Sequence, residues 1–129
     1  MQRSIQAGIA ARIGKYSDAV EVTDGQGMRT LYVSGTPGLD AQTGHVPEDF
    51  AAQADLAWRN LEAILAAADM SVDDIVKLTQ TLTRRDDVTA YRDIRERHLG
   101  THRPASMLSF VSGLVWPQML IELEVVAVR

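Results

Sequence analysis

The chain has 129 residues, 46% of them hydrophobic, which is one domain's worth and enough to bury a core. Its 13 Lys and Arg are scattered among 17 Asp and Glu for a net charge of −4, a balance that argues against a nucleic-acid partner, and no apolar run approaches the ~20 residues of a membrane span. Cysteine is absent, which excludes disulfides and thiolate chemistry; with no apolar signal-peptide core in Met1 to Arg12, the sequence reads as a single cytoplasmic domain over residues 1–129.

The N-terminal dozen residues carry no strong periodicity and are expected to be loosely held. Tyr16 to Val22 and Thr30 to Gly35 are β-rich runs. They flank a reversal in which Asp24, Gly25 and Gly27 suit a tight turn, and so predict a hairpin. A Gly/Pro-punctuated loop follows, and Asp49 is placed to cap a helix. From Phe50 to Ala68 apolar residues recur at helical spacing, with Gln53, Arg59 and Glu62 off the apolar stripe. Ile75 to Thr83 reads as a strand, alternating Val76, Leu78 and Leu82 against Lys77, Thr79 and Thr81. Asp86 or Asp87 can cap a second helix, along which Val88, Tyr91, Ile94, Arg95 and Leu99 share one side until Gly100 and Pro104 stop it. Two strands end the chain, around a loop at Gly113 to Pro117.

The resulting order is ββαβαββ, an α+β fold. Right-handed crossovers put both helices on one face of a mixed sheet. The other face is left open. On the last strand Ile121, Leu123, Val125 and Ala127 point one way, and Leu120, Glu122, Glu124, Val126 and Val128 the other. A face that mixes carboxylates with aliphatics suits an oligomer interface lining a wet cleft.

Few residues announce chemistry. His98 and His102 are four apart but separated by Gly100, and no carboxylate follows at a zinc-enzyme spacing, so no metal site is assigned. Gly25-Gln26-Gly27 is a turn, not a dinucleotide loop. Ser34 lacks the frame of a nucleophile elbow. Glu122 and Glu124 are same-face neighbours, an arrangement that raises a carboxylate pKa and suits a general base if they enter a cleft.

The stretches "IGKYSDAV", "YVSGTPGLDAQTGHVPEDFAAQADLAWRNLEAIL", "DDIVKLTQTL", "RPAS" and "LIELEVVAVR" together resemble the RidA (YjgF) family of reactive-intermediate deaminases, once described as L-PSP endoribonucleases. The resemblance runs from about Ile13 to Arg129. It implies a chorismate-mutase-like fold assembled as a homotrimeric barrel, with small-molecule clefts between subunits. It also implies cofactor-independent hydrolysis of 2-imino or 2-enamino acids to 2-oxo acids and ammonia. By the same resemblance Tyr16 is the N-terminal cleft tyrosine, Ser34 and Gly35 the Ser-Gly of the second strand, and Glu122 the glutamate that positions water.

Ser106 stands where the archetype has an arginine that grips the substrate carboxylate. A neutral hydroxyl there forgoes roughly 2 to 4 kcal/mol of charge-assisted binding, so weak activity on 2-iminopropanoate is expected. Arg92, in place of a family asparagine, and Arg103, just before the Pro-Ala pair, are candidate substitutes. An imine or enamine hydrolase is thus the leading expectation, and a non-catalytic ligand-sensing or protein-binding trimer the alternative. RNA cleavage is unsupported in an acidic chain with no basic stripe.

Overall fold

The computed structural model describes Met1–Arg129. Seven strands form one sheet: β1 (Gln2–Ile5), β2 (Ala19–Thr23), β3 (Arg29–Val33), β4 (Thr36–Pro37), β5 (Ile75–Leu82), β6 (Ala105–Phe110) and β7 (Ile121–Val128). Helix α1 spans Phe50–Ala67 between β4 and β5, and α2 spans Val88–Leu99 between β5 and β6. The sheet order is β1-β2-β3-β7-β5-β6, with β4 continuing the β3 side of β7. Only β5 and β6 pair in parallel. The expected ββαβαββ order is present, with β1 and β4 added to it. Neither helix is long and apolar enough to cross a membrane.

Both helices lie on the same face. Trp58, Leu61, Ile64 and Leu65 of α1 and Tyr91 and Ile94 of α2 share one core with Leu31, Leu78, Leu82, Ile121, Leu123 and Val125 of the strands. Burying each large side chain is worth roughly 1.5–3 kcal/mol, so the apolar stripe of α1 fixes that helix against the sheet more firmly than its propensity does. Asp49 caps α1 by accepting from Ala52 N at 3.0 Å. The other sheet face is open, with Tyr32, Val76 and Met107 exposed on it or along its rim.

Several local expectations are corrected. The N-terminal residues are not loose: β1 pairs with β2, Ile5 and Ile9 are buried, and Asp18 accepts from Ala7 N, Gly8 N and Ala10 N at 2.6, 3.1 and 2.7 Å. One carboxylate thereby satisfies three backbone donors that no ladder reaches. In the β2–β3 turn only Gly27 has positive φ, at 90°; Asp24 supplies the rest by accepting from Gln26 N and Met28 N. Neither acid caps α2. Asp87 holds its N-cap position with its carboxylate turned to Arg84, at 2.7 and 3.1 Å. Gly100, at φ 61°, ends α2 where expected.

On β5 a register shift between Ile75 and Lys77 leaves Val76 exposed, and Gln80 takes the inward position beside Leu78 and Leu82. Gln53, read as off the apolar stripe, is fully buried. Its amide donates to Pro47 O and Gln118 O and accepts from Leu120 N, which ties the start of α1 to the approach of β7.

Candidate functional site

Glu122 sits on the open face of β7, flanked by Pro37 of β4 and Thr81 of β5. The chain between β3 and β4 bends over it. At Gly35 an added Cβ would collide with the Glu122 carboxylate, 2.8 Å from its Cδ, so a larger residue there would turn the Glu122 side chain away. Glu122 is half-buried and has no hydrogen bond or ion pair within the chain. Burial first, and the charge of Glu124 second, hold its pKa above the ordinary value. Such a carboxylate, partly dehydrated but unpaired, is suited to accept a proton.

Tyr16 approaches from the segment that Asp18 fastens. Its pKa is raised by burial, then by the charges of Glu122 and Asp18, so the phenol stays neutral and keeps a proton to donate. Ser34 serves as a clamp: its hydroxyl donates to Ser17 O at 2.7 Å and its N–H to Asp18 O at 2.9 Å. What it offers a ligand is therefore the shape of its backbone, and the hydroxyl is committed. Tyr16, Ser34, Gly35 and Glu122 form one cluster in a single chain.

Ser106 is elsewhere. It lies opposite Leu78 on β5, which lies opposite Val125 on β7. Directly paired residues share a face, so Ser106 faces the helix layer while Glu122 faces the open side. One chain does not bring the two together. Ser106 Oγ accepts from Gln80 Nε2 at 2.8 Å, beside a cavity of about 190 Å³ under the C-terminal half of α2.

Of the two expected substitute arginines, only Arg103 lines that cavity. Arg92 is exposed on α2 and absent from its wall. Arg103 reaches the rim, but its Nη1 donates to Gly100 O and His102 O at 2.6 and 2.9 Å, closing the end of α2. A second guanidinium in the wall is Arg95, 3.2 Å from Gln80 Oε1 and 5.6 Å from its Cζ to the Tyr91 ring centroid. Two signals pointed there: Gln80 is a polar residue in the inward register of an apolar strand, and Arg95 lies on the apolar side of its helix.

The two imidazoles also diverge. His98 is held by Glu62 Oε1 and Asp55 Oδ1 at 2.7 and 2.8 Å and stacks on Trp58, whereas His102 Nε2 meets Ile75 O at 2.7 Å. They share no site.

The model of the family described as endoribonuclease L-PSP matches residues 7–129. The chain belongs to that family. Its relatives carry the names RutC and RidA, in agreement with the resemblance in the sequence. The RutC family protein UK114 of Drosophila melanogaster is 38% identical over 122 residues, covering 94% of this chain and 84% of that protein. The 2-iminobutanoate/2-iminopropanoate deaminase of Mus musculus is 34% identical over 120 residues, covering 92% and 84%. The crystal structure of RidA from the Antarctic bacterium Psychrobacter sp. PAMC 21119 superposes with a TM-score of 0.85 at 32% identity, over 97% of this chain and 98% of that one. The fold and family are thereby fixed for nearly the whole chain.

Proposed function

We propose that this chain is a cofactor-independent hydrolase of imines, enamines or related C–N compounds, acting at the cluster of Tyr16, Ser34, Gly35 and Glu122. The observation that carries this proposal is Glu122: half-buried, unpaired, raised in pKa, and within reach of the Tyr16 charge environment and the Gly35 backbone. The activity named for the mouse relative supplies the reaction class.

In the proposed reaction Glu122 removes a proton from water as the oxygen attacks the imine carbon. The C=N electron pair moves to nitrogen, which is protonated by the acid just formed, with the neutral Tyr16 phenol placed to donate a hydrogen bond there. The carboxylate then takes the carbinolamine's hydroxyl proton and passes it to the nitrogen as the C–N bond breaks, so that the 2-oxo product and ammonia leave and Glu122 is ionised again. One water is consumed and no redox step occurs. Because a single chain sets Ser106 and Glu122 on opposite faces, a cleft using both needs the open edge of β6 from one copy beside Glu122 of the next. That is the arrangement the trimer would supply.

A second function, ligand sensing without turnover, is favoured by one feature: Ser106 offers a neutral hydroxyl already bonded to Gln80. Release of 2-oxo acid from enzymatically generated 2-iminopropanoate separates the two. We expect slow but measurable acceleration by the natural protein, a partial gain in Ser106→Arg, and loss of all acceleration in Glu122→Gln, on the order of a hundredfold or more. No acceleration by the natural protein, or a folded Ser106→Arg protein without gain, would favour the sensor, whereas acceleration that survives Glu122→Gln would remove Glu122 from the chemistry.

A further inference from the structure

We propose that the cavity beneath α2 at the β6 edge is a carboxylate-binding site in which Arg95 is the charged grip and the Ser106 hydroxyl the second donor. This deepens the proposed deamination by naming the group that holds the ligand's acid, and it rests on that function only for the identity of the ligand.

The cation is unusual in its surroundings. Arg95 is half-buried, makes its one hydrogen bond to the neutral Gln80 Oε1, and has no carboxylate within ion-pair distance. A guanidinium carries five N–H donors in a rigid fork, so most of them have no partner within the chain. Its place is determined by the core beneath it. Gln80 is fully buried and its orientation is forced: Met107 O only accepts, so the Gln80 amide nitrogen must face Met107 O and Ser106 Oγ, at 3.0 and 2.8 Å. The amide oxygen therefore faces Tyr91 OH, at 2.7 Å, and Arg95. The same bond orients Ser106. Its oxygen is occupied as an acceptor, which leaves the O–H to donate.

The rest of the wall suits a small organic acid. Leu78, Leu99 and Pro104 are apolar, and about 190 Å³ is below the ~300 Å³ at which drug-sized pockets begin. Arg103 and Glu96 complete the lining, the Glu96 carboxylate lying 3.8 Å from the Arg103 guanidinium. That carboxylate opposes an anion, which makes it a lever for the test. With one N–H spent on Gln80 and a hydroxyl as the other donor, the grip is weaker than a bidentate fork, in keeping with the slow turnover expected above.

Pyruvate and its neutral isostere pyruvamide, titrated into the full chain by calorimetry and by amide NMR, test the site without chemistry. We expect saturable pyruvate binding that shifts Gln80, Arg95 and Ser106, no comparable binding of pyruvamide, and a Kd raised at least about tenfold in Arg95→Gln. Arg97→Gln, on an exposed face of the same helix, should bind as the natural protein does, and Glu96→Gln should bind more tightly. Arg95→Lys keeps the charge without the fork and guards against misfolding of the glutamine variant; it should bind with intermediate affinity. Equal binding of pyruvamide, or pyruvate affinity unchanged in both Arg95 variants, would overturn the site. Arg95-dependent binding without any Glu122-dependent turnover would sustain the site while refuting the hydrolase; Glu122-dependent turnover indifferent to Arg95 would do the reverse.

Discussion

At the scale of a residue, the function proposed for Glu122 would be set against stability. Burial, then Glu124, raise its pKa above the ordinary 4.5. A carboxyl whose folded pKa exceeds its unfolded one binds protons more readily when folded, so its contribution is fully present below the unfolded value and is lost as pH rises through the folded one. At neutral pH the ionised side chain thus works against folding. Glu122→Gln should raise the melting temperature at pH 7 by roughly 2 °C while removing turnover, and should have no such effect below about pH 4, measured by thermal unfolding across pH. On the proposed mechanism the acidic limb of kcat/KM should lie above that of an ordinary glutamate. Removing the second cause with Glu124→Gln should move that limb to lower pH. A limb that stays in place would show that another group titrates there.

At the scale of an element, the joint between α1 and α2 rests on His98. Both its ring nitrogens face carboxylate oxygens of α1, and the ring stacks on Trp58 with centroids 5.5 Å apart. Burial acts to raise the pKa of Asp55, but its hydrogen bond and attraction to His98, with those of Arg59, outweigh that and hold it below the ordinary 3.8. A depressed carboxylate contributes stability that is present above its unfolded pKa and lost as pH falls through its folded one. Asp55→Asn should therefore flatten the loss of stability in acid, and His98→Phe, which keeps the stack but leaves Glu62 unpaired and Asp55 with Arg59 alone, should cost about 1 kcal/mol near neutral pH by denaturant unfolding. A His98→Phe protein as stable as the parent would show that the stack alone holds the joint. Elements of this kind were legible where the signal is local: the α1 stripe, the Asp49 cap, the Gly100 stop and the alternation of β7. They were illegible where a polar side chain answers a backbone group far along the chain. Gln53 serves Gln118 O, Asn60 serves Pro37 O and Leu39 O, and Asp18 gathers three N–H groups that make the N-terminus part of the fold. Periodicity sees such residues only as interruptions.

At the scale of the whole molecule, sequence pattern foresaw an open sheet face, and resemblance, not pattern, singled out Tyr16, Ser34 and Gly35. What neither conveyed is that Ser106 and Glu122 diverge, because facing is set by strand register across three strands. That divergence bears on assembly. The open face exposes Tyr32, at 53%, together with Glu124 and Val126 around a hollow of about 320 Å³, and β6 is an unpaired edge with Met107 exposed. A face-to-face dimer would press Glu122 and Glu124 of both copies into one dry interface, where unpaired carboxylates are costly. A closed ring of three would leave them at the wet mouths of clefts, cover the aliphatics and shield the β6 edges. Light scattering coupled to gel filtration should therefore give a mass of three times 14.2 kDa at micromolar concentration. Val126→Glu, which adds a charge to the covered aliphatics, should lower that mass and, with it, any turnover that needs Ser106 and Glu122 from different copies. A natural protein that is monomeric yet active would refute both the ring and the shared cleft.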